Sequence, residues 1–373
     1  MDPPTRPHLC PARETSLDSS ELQEKKGSEP FLVSKTLIIS KYHLGKGSDP
    51  IYARMKPSFP KPTRVNTGEV DLAVHQMGNG PPIVLVHGFP ELAFSWRHQI
   101  PALAGAGYRV IAPDMRGYGG SDKPAHVTDY TIQKLTADLT GMMDALDLET
   151  ALVIGHDWGA LITWQMALLE SDRMAGLVAL NIPFFKRSPI DPIMFMRYKL
   201  GKDFYIVNFQ KSDEADRRFA EDPARFIDVM MRRRRIIRDK PAKKRGKRRP
   251  LSLLEMMDRH DPGGEVLLTP DELKYYADAF DAGGFTGPIN WYRNWTHNWK
   301  STRKVDQTVR IPSLFVGASD DAIISGKQIE AMKPNVLDLE VQIIDDCGHW
   351  TQQEKPQELN KILLDWMARR YPA

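Results

Sequence analysis

The chain has 373 residues, 41% of them hydrophobic and 27% charged, with a formal net charge of +3. That length exceeds the roughly 50–200 residues of an ordinary single domain, so one large domain with an insertion, or two domains, is expected. Two cysteines exclude a disulfide framework, no apolar run approaches the ~20 residues of a membrane span, and no apolar stretch after a basic start marks a secretory signal.

Such cysteine usage suits a reducing, cytoplasmic setting. The small net charge hides a strong asymmetry. Residues 232–249 hold twelve Lys/Arg and one acid, so the rest of the chain is net acidic. This basic segment reads first as a solvated loop and second as a site for an acidic partner.

Residues 1–64 are rich in Pro, Ser, Lys and Glu with little apolar periodicity, and read as an N-terminal extension. Beyond them, short apolar runs predict strands at 70–75, 82–87, 109–113, 151–155, 177–182, 312–316 and 341–345. Helical patterns fall at 129–146, 159–171 and 356–370. Strands alternating with helices predict an α/β fold: a mostly parallel sheet flanked by helices. Between 184 and 305 the strand signal vanishes in a stretch rich in Met, Arg and aromatic residues. The expected organisation is therefore a core of 65–183 and 306–373 with a helical lid inserted at 184–305.

The most informative stretch runs from Ala151 through Gly155-His156-Asp157-Trp158-Gly159. An apolar strand enters Gly-x-Asp-x-Gly and then a helix. Glycines two positions either side of a reactive residue permit a cramped strand–turn–helix corner, the nucleophile elbow of α/β hydrolases, here with Asp in place of Ser. An Asp that simply caps a helix is the bland alternative. The helix that follows adds positive dipole and free N–H groups, which hold a carboxylate ionised. A carboxylate nucleophile suits displacement at saturated carbon better than acyl transfer, giving an alkyl ester that water then hydrolyses. Epoxides and alkyl halides become the candidate substrates.

A base is expected after a late strand, and His349 follows 341–345 in Cys347-Gly348-His349-Trp350. An orienting acid is expected after the preceding strand, where Asp320 and Asp321 both qualify. The order nucleophile, acid, base is that of the α/β-hydrolase fold. The turn His87-Gly88-Phe89-Pro90 offers the Phe89 backbone N–H, which with that of Trp158 would form an oxyanion hole. Cys347 reads as a small buried residue, and the Asp114–Gly119 loop as structural.

Together these segments resemble the epoxide hydrolases of the α/β-hydrolase superfamily over roughly residues 65–373. The carriers are His87 to Glu91 with Ser95 to Gln99, Asp114 to Ser121, Gly155 to Gly159, Asn290-Trp291-Tyr292-Arg293-Asn294, and Cys347 to Trp350. The resemblance implies an enzyme turning lipophilic epoxides into diols with water, by way of an ester on Asp157. It implies Asp321 rather than Asp320 as the acid. It also implies two lid tyrosines that donate to the epoxide oxygen: Tyr292, and Tyr205 in Phe204-Tyr205-Ile206-Val207-Asn208-Phe209-Gln210. Asn208 stands where the family often has a tyrosine, which leaves Tyr198 open for the second role. The rival readings are a haloalkane dehalogenase, which shares the aspartate but not the tyrosine pair, and a non-catalytic binder, which needs no water-activating base. No metal or organic cofactor is expected, and a homodimer is the candidate assembly.

Overall fold

The computed structural model describes residues 59–211, 213–234, 251–321 and 326–373, which belong to one compact unit. Ten strands are present among them: β1 Pro62–Asn66, β2 Asp71–Met77, β3 Pro82–Val86, β4 Arg109–Asp114, β5 Ala151–His156, β6 Met174–Leu180, β7 Arg232–Arg233, β8 Glu265–Val266, β9 Ser313–Ala318 and β10 Leu339–Ile344. Eight form one sheet in the order β1-β2-β4-β3-β5-β6-β9-β10. From β4 to β10 every neighbouring pair is parallel, while β2 runs antiparallel to both β1 and β4.

The interior strands are apolar on both faces, as a sheet covered on two sides requires. In β5, Ala151 and Val153 enter one core, while Leu152 and Ile154 enter the other. In β3 the same alternation sends Val84 and Val86 one way and Ile83 and Leu85 the other. Helices Ile132–Ala145 and Trp158–Leu169 contribute to the first core; Gln99–Gly105 and Pro356–Arg370 contribute to the second through Ile100, Leu103, Leu363 and Trp366. Burial of each such Val, Leu or Ile contributes about 1.5–3 kcal/mol.

Every strand and helix that the apolar pattern predicts is present within a few residues. Further elements lie outside those expectations, among them β1, helix Gln99–Gly105, helix Gly326–Met332 and the β7–β8 pair. β1 begins at Pro62, inside the stretch read as an extension, because its alternate exposed residues carry little apolar signal (only Val65 is buried). Helix Gln99–Gly105 is too short for a clear period. The β7–β8 pair corrects the reading of 184–305 as free of strands, although it joins only Arg232 to Val266 and Arg233 to Glu265. The other regular elements among the described residues of that region are helices: Pro192–Leu200, Tyr205–Asn208, Glu214–Ala220, Pro223–Met230, Leu253–Met257, Pro270–Gly283, Thr286–Arg293 and Trp295–Ser301.

Of the basic segment, Arg232 to Arg234 are described, and they are engaged. Arg232 pairs with Asp228 at 2.8 Å, and Arg233 reaches Asp346 at 2.5 Å and Glu354 at 3.4 Å. Arg234 donates to the Val229 carbonyl. Residues 235–249 lie outside the described residues, as do residues 1–58 of the extension.

Candidate active site

Parallel strands converge their carboxyl ends on one edge of the sheet, and ligands of such folds bind there. Asp157 follows β5 directly, with φ +51° and ψ −117°. That left-handed backbone is strained for an aspartate and persists only when its surroundings enforce it. Close packing enforces it here. A Cβ on Gly159 would lie 2.0 Å from the Val86 carbonyl oxygen, and one on Gly88 would lie 2.5 Å from the Asp157 Cβ. The two glycines let the helix start and the β3 turn close around the carboxylate.

The Phe89 N–H donates to Asp157 Oδ1 at 3.0 Å. Of the two amides expected there, it is the one that reaches the carboxylate; Trp158 occupies the first position of the following helix. His349 places Nε2 at 3.5 Å from Asp157 Oδ2, and its Nδ1 stands 2.9 Å from Asp321 Oδ2. Asp320 does not make this contact; its N–H donates to the Cys347 carbonyl.

Two opposed effects act on each charge. Burial alone would push the Asp157 carboxyl up, but the hydrogen bond and charge of His349, with help from His156 and the Phe89 N–H, bring it below its ordinary value. Burial alone would push the His349 imidazole down, but Asp321 and Asp157 reverse this and carry it well above the ordinary histidine range. Each of the two groups thus favours the charged form of the other.

Above this triad stand the tyrosines. Tyr292, on helix Thr286–Arg293, is buried, with its ring 5.2 Å from Phe89 and 5.1 Å from Trp158. Gln210 fixes that helix by donating to the Tyr292 carbonyl at 2.9 Å. Tyr205 opens helix Tyr205–Asn208, its ring 5.8 Å from that of Tyr292 at 74°. Burial first, and for both the Asp157 charge, raise the two phenols above the ordinary tyrosine value. Both stay protonated and able to donate. Tyr198 is 82% exposed, so the structure brings Tyr205 and not Tyr198 to the site. Asn208 faces away, 3.5 Å from Glu214.

Sequence reasoning missed three partners. Asn181, at the end of β6 with φ +65°, donates from Nδ2 to Asp321 Oδ2 at 2.8 Å; a polar residue just past a strand's carboxyl end was the available signal. Glu91 and His156 were seen as motif letters without roles. They form a fully buried pair at 2.7 Å, and His156 Nε2 lies 2.8 Å from the His349 carbonyl. His156 Nδ1 faces both Glu91 Oε2 and, at 3.1 Å, Gln352 Nε2. Glu91 Oε2 also accepts from the Gly88 N–H at 2.9 Å, so one buried pair joins the oxyanion turn to the base loop.

Other residues are structural, as expected. Cys347 is buried and its thiol is pushed up to about 12 by burial and Glu354. Asp114 accepts from the Ala93 and Gly120 amides, and Arg116 grips Asp138 through two bonds of 2.6 and 2.7 Å. Among the described residues no three His, Cys, Asp or Glu side chains gather as metal ligands, and no helix is long and apolar enough to cross a membrane. A cavity of about 500 Å³ is lined by Trp158, Leu161, Phe195, Trp295 and Trp299 among others; Asp157, Asp321, His349, Tyr205 and Tyr292 do not line it.

This strand order, with a strained acidic turn after β5 and a histidine after the last strand, defines an α/β hydrolase. The comparisons agree. The alpha/beta hydrolase fold family matches over residues 81–356. Epoxide hydrolase A of Mycobacterium tuberculosis is 39% identical over 83% of this chain and 98% of its own length. The bifunctional epoxide hydrolase 2 of Sus scrofa is 36% identical over 78% of this chain, which spans 52% of that longer protein. The crystal structure of epoxide hydrolase A from Mycobacterium thermoresistibile superposes with a TM-score of 0.75 at 38% identity, covering 84% of this chain and all of that one. The chain belongs to the α/β-hydrolase fold family and, within it, to the epoxide hydrolases.

Proposed function

We propose that this protein hydrolyses lipophilic epoxides to vicinal diols through an ester on Asp157, with residues 184–305 as the lid over the site. The observation that carries the reading is the pair Tyr205 and Tyr292 set together near Asp157, both held protonated. Asp157 Oδ1 is occupied by the Phe89 N–H, which leaves Oδ2 to attack a ring carbon. The C–O bond breaks, and a tyrosine proton passes to the departing oxygen.

The ester carries no charge, so His349 loses one of the two carboxylates that raised its pKa. Its proton then restores the tyrosine, and the imidazole becomes a base. His349, oriented by Asp321, takes a proton from water as the hydroxide oxygen bonds to the ester carbon. The Phe89 N–H, joined by that of Trp158, stabilises the oxyanion. Collapse expels the second alkoxide, which takes the proton of the newly formed acid, and the diol leaves with Asp157 again a carboxylate. The residues present complete this sequence using only the epoxide and water as reactants. The cysteine usage supports a cytoplasmic site for it, and a homodimer and an acidic partner for 235–249 belong to the same proposal.

Incubation with a panel of epoxides and haloalkanes tests the assignment. Diol release without halide release is expected. Halide release with inert epoxides would assign the site to dehalogenation, and inertness toward both would favour a binder.

A further inference from the structure

The helix Pro192–Leu200 presents an outward face that is exposed among the described residues. Ile193 packs inward, but Met194 is 66% exposed, and Phe195, Tyr198 and Leu200 on the helix and Ile190 just before it are also exposed. Met194 and Tyr198 are spaced four apart and therefore share one side of the helix. Single exposed apolar residues are ordinary, whereas a cluster on one element marks an interaction surface.

Its surroundings are cationic. Between 186 and 203 stand Lys186, Arg197, Lys199 and Lys202 beside two acids, Asp191 and Asp203, while Arg187 is turned to the Trp299 carbonyl and ring. Asp191 is turned inward, accepting from the Ile193 N–H at 2.8 Å and the Thr296 hydroxyl at 2.9 Å. Lys199 lies over the Tyr198 ring at 5.3 Å. Such a collar is notable on a chain whose charge outside 232–249 is net acidic. Protruding apolar side chains rimmed by long basic ones are what a helix needs to rest in a lipid interface, its apolar face at the acyl boundary and its cations at the headgroups.

We propose that this face docks on an anionic lipid bilayer. Two details favour a bilayer over a second copy of the chain. Across a two-fold axis the collar would meet itself, and like charges would oppose the contact. The patch also continues into a cavity: Phe185, Lys186, Pro192 and Phe195 line the ≈ 500 Å³ space that Trp158, the neighbour of Asp157 in sequence, also lines. A lipophilic epoxide dissolved in the bilayer would be presented at that cavity. This last consequence rests on the proposed hydrolysis; the docking itself does not.

The test is sedimentation of the full chain with phosphatidylcholine vesicles, plain or with roughly a quarter phosphatidylglycerol. Each mixture is measured at about 0.1 M and about 1 M salt, between which the Debye length falls from about 10 to 3 Å. Binding to the anionic vesicles is expected at low salt, weakened at high salt. The Met194→Asp/Tyr198→Asp variant and, independently, the Arg197→Glu/Lys199→Glu variant should each lower partitioning by about tenfold or more. Both should turn over a small water-soluble epoxide at the wild-type rate, and that turnover reports on the hydrolysis separately. Absence of wild-type binding, or wild-type binding by both variants, overturns the proposal. So does a wild-type dimer that Met194→Asp/Tyr198→Asp converts to a monomer, which would assign the face to a second copy.

Discussion

Asp157 and His349 hold each other's charge. The aspartate is buried yet lowered, chiefly by His349 3.5 Å away, and the histidine is buried yet raised, by Asp321 first and by Asp157 with it. Removing the carboxylate should therefore bring the imidazole down. In an Asp157→Ala variant, His349 is expected to titrate at lower pH than in the wild type, read from imidazole nitrogen resonances; an unchanged titration would mean that Asp321 alone sets it. The pair also links pH to stability. The raised histidine contributes stability that is present below its ordinary pKa and lost as pH rises through its folded value, while the lowered aspartate contributes stability lost as pH falls. The pair thus stabilises most between the ordinary carboxylate pKa and the ordinary histidine pKa, and its contribution declines as pH rises from there toward the raised histidine value. The tyrosines carry the choice of substrate at this same scale. Tyr292→Phe should lower epoxide turnover by about 10²–10⁴-fold, the usual worth of a positioned acid, and Tyr205→Phe should do likewise. Near-normal rates in both would sink the epoxide assignment.

At the scale of elements, the site depends on how tightly β5 and its helix can turn. Gly159→Ala would drive a methyl group against the Val86 carbonyl, so the variant is expected to unfold at markedly lower urea concentration and to lose activity with the elbow. Unchanged stability would show that the corner can relax. This turn was legible in the sequence because glycine spacing is itself a steric statement. His349 was legible for a related reason, since it sits just past an apolar run that reads as a strand; position alone left Asp320 and Asp321 both open, and the resemblance chose Asp321. Asn181 was not, because its side chain meets Asp321 through a sheet neighbour and not through spacing along the chain. Glu91 and His156 escaped for the same reason, being 65 residues apart in sequence and 2.7 Å apart in space. The tyrosines fall between these cases: periodicity marks their helices weakly, and the resemblance named them.

For the whole molecule, described residues of the segment after β6 are fastened to the base loop. Arg233 meets Asp346 and Glu354, which flank His349, and the Trp350 indole donates to the Met230 carbonyl at 2.9 Å. Arg233→Ala should lower the free energy of unfolding by about 1–3 kcal/mol in urea titrations, the cost of leaving a buried acceptor short of a partner. No loss would mean that the Gly348 and Trp350 amides satisfy Glu354 unaided. The twelve-cation segment shows how composition misleads at this scale, because its first arginines are consumed by internal acids. The central claim is the ester on Asp157, and a single turnover in ¹⁸O-water with enzyme in excess tests it most directly. The account predicts that the oxygen added to the first diol is unlabelled, having come from Asp157, and that ¹⁸O appears in the Asp157 carboxylate. Labelled diol in that first turnover, with Asp157 unlabelled, would mean that water attacks the epoxide itself and would contradict the account.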